Sequence, residues 1–147
     1  MSMRVLITGG GSGIGLTLAR RFSAEGAQVA LCDADPKAVE SAAAALPGAI
    51  ARTCDVTDAA QMDAFLAEVE TAWGGIDVVC ANAGTGGPAG RIEDLDYQAW
   101  QDCVAVNLHG AFLTCRWAAR LMRAQGSGCI IITSSTSGQW GHPLRSP

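Results

Sequence analysis

The sequence predicts an α/β protein, a doubly wound parallel sheet with helices on both faces. Two observations carry this. Short apolar runs alternate with segments of helical periodicity, and no hairpin signal joins any two of the runs. The 147 residues are 49% apolar and 16% charged, a packed globular composition with enough length to bury the core of one domain. Strands hidden on both faces read as continuous apolar runs, as these do.

The elements follow in order. Residues 4–8 form a strand that ends in a glycine cluster. Helical spacing takes over at 14–25, where Ile14, Leu18 and Phe22 recur at i, i+4 and i+8 and Gly26 supplies a C-cap. Residues 28–33 are the second strand. Asp35 then caps a helix with Pro36 at its first position, where a missing N–H costs nothing. A third strand spans 49–54, and Thr57 opens a helix whose Met62, Leu66, Val69 and Trp73 form one stripe before Gly74 and Gly75. The fourth and fifth strands are 76–81 and 129–133, with one long helix over 97–123 between them. In that helix Leu108, Phe112, Cys115, Ala119 and Met122 form one apolar stripe. Leu113, Trp117 and Leu121 lie opposite, and Arg116, Arg120 and Arg123 form a solvated face between. A helix on a sheet needs one stripe. The second predicts a further partner, a helix of the same fold or another subunit; the alternative is that Trp117 covers a neighbouring loop. No repeat or linker interrupts residues 1–147, which read as one domain.

Charge and cysteine usage exclude several functions. Ten Lys plus Arg against 14 Asp plus Glu leave a net charge of −4, with no electrostatic footprint for nucleic acid or an anionic membrane. No apolar run approaches the roughly 18 residues of a membrane span. The first run is cut off by Thr8-Gly9-Gly10-Gly11, unlike a signal peptide. The six cysteines include no Cys-x-x-Cys pair, which predicts buried free thiols in a reducing, cytoplasmic setting. Glu93, Asp94 and Asp96 have no histidine or further acid at a ligand spacing, so they read as a solvated loop and no metal site is expected.

The chemistry begins where the first strand runs through Thr8-Gly9-Gly10-Gly11-Ser12-Gly13-Ile14-Gly15 into a helix. Glycines let the backbone turn tightly against a pyrophosphate, and the helix N-terminus offers free N–H groups and a positive dipole end. A Walker loop would need a lysine after its last glycine, and none is present. Asp33 ends the second strand, 18 residues after Gly15, where a dinucleotide fold places a carboxylate for the adenosine ribose. It would repel a 2′-phosphate and no arginine follows it, so NAD is expected over NADP.

These residues form part of a longer series. Asp55-Val56 follows the third strand, Asn82-Ala83-Gly84 the fourth, Val106-Asn107 sits in the long helix, and Ile131-Ile132-Thr133-Ser134-Ser135 closes the fifth strand. In that order they resemble the short-chain dehydrogenase/reductases over the whole chain. The resemblance implies a Rossmann-type sheet of strand order 3-2-1-4-5 and hydride transfer between NAD and a small alcohol or carbonyl substrate. It implies that Gly9, Gly11, Ser12, Gly13, Ile14 and Gly15 bind the cofactor and that Asp55 and Val56 hold its adenine. Asn82, Ala83 and Gly84 close over it, with Ala81 where many members carry a further asparagine. Asn107 matches the asparagine that helps hold a relay water. Ser135 matches the serine that hydrogen-bonds the substrate oxygen, with Gly138 at the usual offset; Ser134 is its neighbour. Homodimers or homotetramers built through the long helix are implied.

The acid/base of that family is a tyrosine supported by a lysine one helical turn later. This chain has one tyrosine, Tyr97, and one lysine, Lys37, and Gln101 stands four residues after Tyr97. Pro147 is 12 residues after Ser135, and the expected tyrosine would occupy the next position. The resemblance therefore predicts the N-terminal part of a dehydrogenase, without its later strands and helices, with an exposed fifth strand and no activity of its own. His142, with Gln139 and Trp140, reads as lining the substrate mouth, and a role as base is its alternative. The rival function is a non-catalytic dinucleotide-binding module or sensor, against which Ser135 and Asn107 weigh.

Overall fold

The computed structural model describes residues 2–141, 143 and 144. Strands β1 (Arg4–Thr8), β2 (Gln28–Asp33), β3 (Ile50–Thr53), β4 (Val78–Ala81) and β5 (Cys129–Ile132) form one parallel sheet in the order β3-β2-β1-β4-β5. Leu6 of β1 lies opposite Ala30 on one side and Val79 on the other. Side chains alternate along each strand and divide the core in two. Val5, Ile7, Val29 and Leu31 meet Ala19 of α1 (Gly13–Ala24) and Val39 of α2 (Pro36–Ala45). Leu6, Ala30, Cys32 and Val79 meet Phe65 and Leu66 of α3 (Ala59–Trp73) and Trp117 of α5 (Ala111–Gln125).

The helix ends show where local chemistry decides. Asp35 caps α2 as expected, accepting from the Lys37 N–H at 2.9 Å. For α3 the cap is Asp58 instead of Thr57. Asp58 accepts from the N–H groups of Ala60 and Gln61 at 2.9 and 3.1 Å, while Thr57 is held in the preceding turn by Asp55 Oδ1. One aspartate oxygen, Oδ1, takes both free amides, and Oδ2 accepts from Gln61 Nε2 at 2.9 Å; aspartate is also preferred over threonine at an N-cap.

The expected long helix is instead an α–π–α succession. α4 (Tyr97–Val104) passes into a π-helical turn, Ala105–Gly110, and then into α5. Its two apolar stripes also exchange roles. Trp117 is 9% exposed and packs in the core of its own chain, with Leu113 and Leu121 beside it, whereas Leu108 and Phe112 are 62% and 59% exposed. Gly110, Thr114 and Ala118 are the reason. These small residues are buried on the side that approaches the sheet, and Thr114 returns its hydroxyl to the Gly110 carbonyl at 2.8 Å. α1 behaves alike: Gly15 and Ala19 form its buried face, and Ile14 is 65% exposed. Arg120 is not simply solvated, because it pairs with Glu70 of α3, which also accepts from Trp117 Nε1 at 3.1 Å. The guanidinium holds the Glu70 carboxyl below its usual range. Cys32, Cys54, Cys80 and Cys103 are buried thiols, but Cys115 is half-buried and Cys129 is exposed on the edge strand β5, beside exposed Ile131 and Ile132. Among the described residues no helix is long and apolar enough to cross a membrane.

At the end of the sheet away from the glycine loop, Arg4 forms a bidentate pair with Asp77, Nη2 to Oδ1 at 2.7 Å and Nε to Oδ2 at 3.0 Å. The guanidinium depresses the Asp77 pKa. A carboxyl depressed by folding stabilises above its unfolded pKa and loses that contribution as pH falls through its folded value. Stability is expected to decline on acidification below about pH 4. Arg4→Ala is expected to remove about 1 kcal/mol at neutral pH, since solvent screens this partly exposed pair, and to flatten the acid limb. Urea denaturation of both proteins at neutral and acid pH reads the difference.

Candidate functional site

Parallel strands present their carboxyl ends at one edge. Beyond β1 the chain winds first toward β2 and β3, then toward β4 and β5, so the crossovers diverge and leave a crevice where the order reverses. A cleft of about 1170 Å³ lies there.

The glycine loop forms its floor by close approach. A Cβ on Gly15 would stand 2.0 Å from the Gly9 carbonyl oxygen and 2.8 Å from Asn82 Nδ2. Gly13 (φ +51°) is the opposite case, because nothing lies within 4 Å of the position its Cβ would take. Ser12 stands at the N-cap of α1 without a side-chain bond to the helix. The first turn of α1 therefore meets the cleft with no side-chain cap, beside open space, which suits an anionic group.

Asp33 ends β2 at the cleft. Its Oδ2 accepts from the Gly11 N–H at 3.0 Å and its Oδ1 from the Asp35 N–H at 3.1 Å. A carboxylate offers about four acceptor positions, so capacity remains for a ligand. Asp55, after β3, receives both the N–H and the hydroxyl of Thr57, at 2.9 and 2.8 Å. Val56 is packed on the π turn so closely that a Cβ on Gly110 would stand 2.6 Å from Val56 Cγ2.

After β4, Asn82 Nδ2 donates to the carbonyls of Thr8 and Gly9 at 3.1 and 3.3 Å, and its Oδ1 accepts from the Thr133 hydroxyl at 2.9 Å. Thr8 Oγ1 accepts from the N–H groups of Asn82 and Ala83 at 3.0 and 3.1 Å. Sequence reasoning assigned Asn82 and missed these roles of Thr8 and Thr133. For Thr8, a hydroxyl closing a strand that is buried on both faces was the available signal, since such a group must find partners; Thr133 is exposed and follows an exposed strand, which gives no such signal.

Asn107 lies in the π turn. Its Oδ1 accepts from the Thr85 N–H at 2.9 Å, and its Nδ2 donates to the Thr85 carbonyl at 3.0 Å and to Cys103 Sγ at 3.1 Å. Ser135 Oγ accepts from the Ser137 N–H at 3.2 Å at the start of a 3₁₀ turn, Thr136–Gly138, and keeps its own proton to donate. A hollow of about 310 Å³ bordered by Ser134, Ser135 and Gln139 adjoins the cleft.

Every residue the sequence assigned to the cofactor or the chemistry lines the cleft except Gly11, which is buried behind it and reaches it only through Asp33. Tyr97 stacks on Trp100 at 6.2 Å at the start of α4, and Lys37 sits in the first turn of α2; neither lines the cleft. Trp140 is exposed, and His142 lies outside the described residues. Among the described residues no cluster of three or more His, Cys, Asp or Glu could hold a metal ion.

Residues 3–147 match the family described as short chain dehydrogenase. Levodione reductase of Leifsonia aquatica is 37% identical over 140 residues, covering 91% of this chain and 52% of that protein. The crystal structure of levodione reductase superposes with a TM-score of 0.92 at 36% identity, over 98% of this chain and 58% of that one. That of NAD+-bound xylitol dehydrogenase gives 0.90 at 33% identity, over 97% and 56%. The chain thus spans about half the length of the curated relatives it matches.

Proposed function

The chain belongs to the short-chain dehydrogenase family, and from that premise we propose that residues 1–147 act as one NAD-binding unit of a cytoplasmic oxidoreductase for small alcohols or carbonyls. The observation that supports it most is the start of α1, uncapped by Ser12 and open above Gly13, with Asp33 across the cleft. The cofactor, when bound, supplies the hydride chemistry. Ser12, Gly13, Ile14 and Gly15 hold its pyrophosphate end, with Gly9 giving α1 room to approach. Asp33 takes the ribose hydroxyls with its remaining acceptor positions and repels a 2′-phosphate, which favours NAD over NADP. The similar xylitol dehydrogenase carries NAD+. Asp55 and Val56 border the adenine end, and Asn82, Ala83 and Gly84 close the floor.

At the other end Ser135 donates its spare proton to the substrate oxygen. Asn107 holds the Thr85 segment and, from the π turn, helps fix a relay water. Exposed Leu108 and Phe112 replace the Trp117 stripe as the helical face offered to a second subunit, in a homodimer or homotetramer. A non-catalytic sensor is the second reading, favoured by the position of Tyr97 and Lys37 away from the cleft. Among the described residues that line the cleft none is a tyrosine, lysine or histidine, so this chain is expected to bind NAD and, lacking a proton-transfer group there, not to turn it over.

Calorimetric titration of the chain should show NAD binding at least about tenfold tighter than NADP. Incubation with NAD and a panel of secondary alcohols should give no NADH fluorescence. Absence of NAD binding would overturn the cofactor assignment, and steady turnover would overturn the inactivity.

A further inference from the structure

We infer that Cys103 is a positioning residue, whose sulfur holds the Asn107 carboxamide in place and through it the cleft-lining Thr85 segment. Cys103 stands on α4 four residues before Asn107, on the same helical face, and is 2% exposed. A buried cysteine ordinarily acts as a small apolar filler. This one receives the Asn107 Nδ2 hydrogen bond at 3.1 Å and directs its own thiol toward the Thr85 carbonyl at 3.9 Å.

The Asn107 amide has two hydrogens, and the Thr85 carbonyl takes one, at 3.0 Å. Without the sulfur the other has no acceptor among the bonds observed. The Thr85 N–H and carbonyl distinguish the two ways round that the carboxamide can sit. Turned by half a rotation, the Asn107 oxygen would face the Thr85 carbonyl, an acceptor, and its NH2 would face the Thr85 N–H, a donor; the sulfur adds a third tie to the orientation that Thr85 selects. Cys103, Asn107 and Thr85 thus close a cycle that accepts one orientation. Gly84, Thr85 and Gly86 line the cleft, so a residue that touches no ligand governs how firmly that wall is held. The functional part rests on the placing of Asn107 in the active site proposed above.

The test uses the 15N-labelled chain and follows hydrogen exchange at the Asn107 side-chain amide and the Thr85 N–H by NMR. Cys103→Val keeps bulk and removes the acceptor, Cys103→Ala does so with less bulk in case valine overpacks, and Cys103→Ser restores an acceptor. Exchange at both groups should quicken about tenfold in the valine or alanine variant, with the core amide of Val79 unchanged, and serine should recover most of the protection. Wild-type exchange in both the valine and alanine variants would overturn the inference, as would a serine variant that exchanges as fast as alanine. These signals report geometry alone. A negative result removes Cys103 and leaves the cofactor reading standing, whereas absent NAD binding with the signature intact does the reverse.

Discussion

Gly15→Ala is expected to destabilise the chain by more than about 4 kcal/mol, or to prevent folding of its glycine-loop end. Helix propensity alone argues for the opposite sign, since alanine within a helix is worth about 1 kcal/mol over glycine. Close approach decides against it. The new methyl carbon would stand 2.0 Å from Gly9 O, 2.8 Å from Gly9 C and 2.8 Å from Asn82 Nδ2. None of these can yield cheaply, because Gly9 is backbone and Asn82 is fixed by the carbonyls of Thr8 and Gly9 and by Thr133. Gly13→Ala is the control. It meets no atom within 4 Å, and its cost is that of a left-handed residue at φ +51°, about 1–2 kcal/mol. Urea denaturation of the three proteins separates the cases. A Gly15→Ala chain as stable as its parent would mean that α1 can withdraw from the loop.

The second large effect concerns affinity. Asp33→Asn should lower NAD affinity about 10–100-fold, the loss of charge-assisted hydrogen bonds worth roughly 1.5–3 kcal/mol. It should leave NADP affinity unchanged or higher, because the repulsion of a 2′-phosphate disappears. The substitution is nearly isosteric, and the remaining side-chain oxygen can still accept from Gly11 or Asp35, whose N–H groups now reach the carboxylate at 3.0 and 3.1 Å. Titration calorimetry with both dinucleotides gives the ratio. Equal NAD affinity in the variant would reduce Asp33 to a tie between β2 and the glycine loop.

The strands were legible because burial on both faces leaves short, unbroken apolar runs, and β1 and β2 fall on the residues expected. The glycine loop was legible because its needs are backbone needs, which a sequence states in glycines. Leu18, Phe22 and Met122 of the expected stripes pack against the core, but the centre of each helix face was misread for a physical reason. In α1 and α5 the side against the sheet carries Gly15, Ala19, Thr114 and Ala118, while Ile14, Leu108 and Phe112 point outward. Counting bulk finds apolar surface, whereas the smallest residues mark where a helix comes closest. The π turn had no signal of its own beyond Gly110, since Ala-Val-Asn-Leu-His-Gly reads as ordinary helix. The ties made by Thr8 and Thr133 to Asn82 join residues distant in sequence, and nothing in their spacing announces them; Cys103 stands at helical spacing from Asn107, but a buried cysteine there reads as apolar filler.

β1 pairs with β2 as far as Thr8 opposite Cys32, but with β4 only as far as Ile7 opposite Cys80. Beyond that point one hydroxyl oxygen, Thr8 Oγ1, receives two amides from the departing chain. The sheet is forked there, and the gap is spanned by a side chain instead of a rung. A ladder under load can fray one rung at a time, but this crotch is held by the Thr8 hydroxyl and by the Asn82 amide on the Thr8 and Gly9 carbonyls, ties that share the same two side chains and so fail together. Wedging the two strands apart at the cleft floor would therefore be resisted up to a threshold and then released in one step.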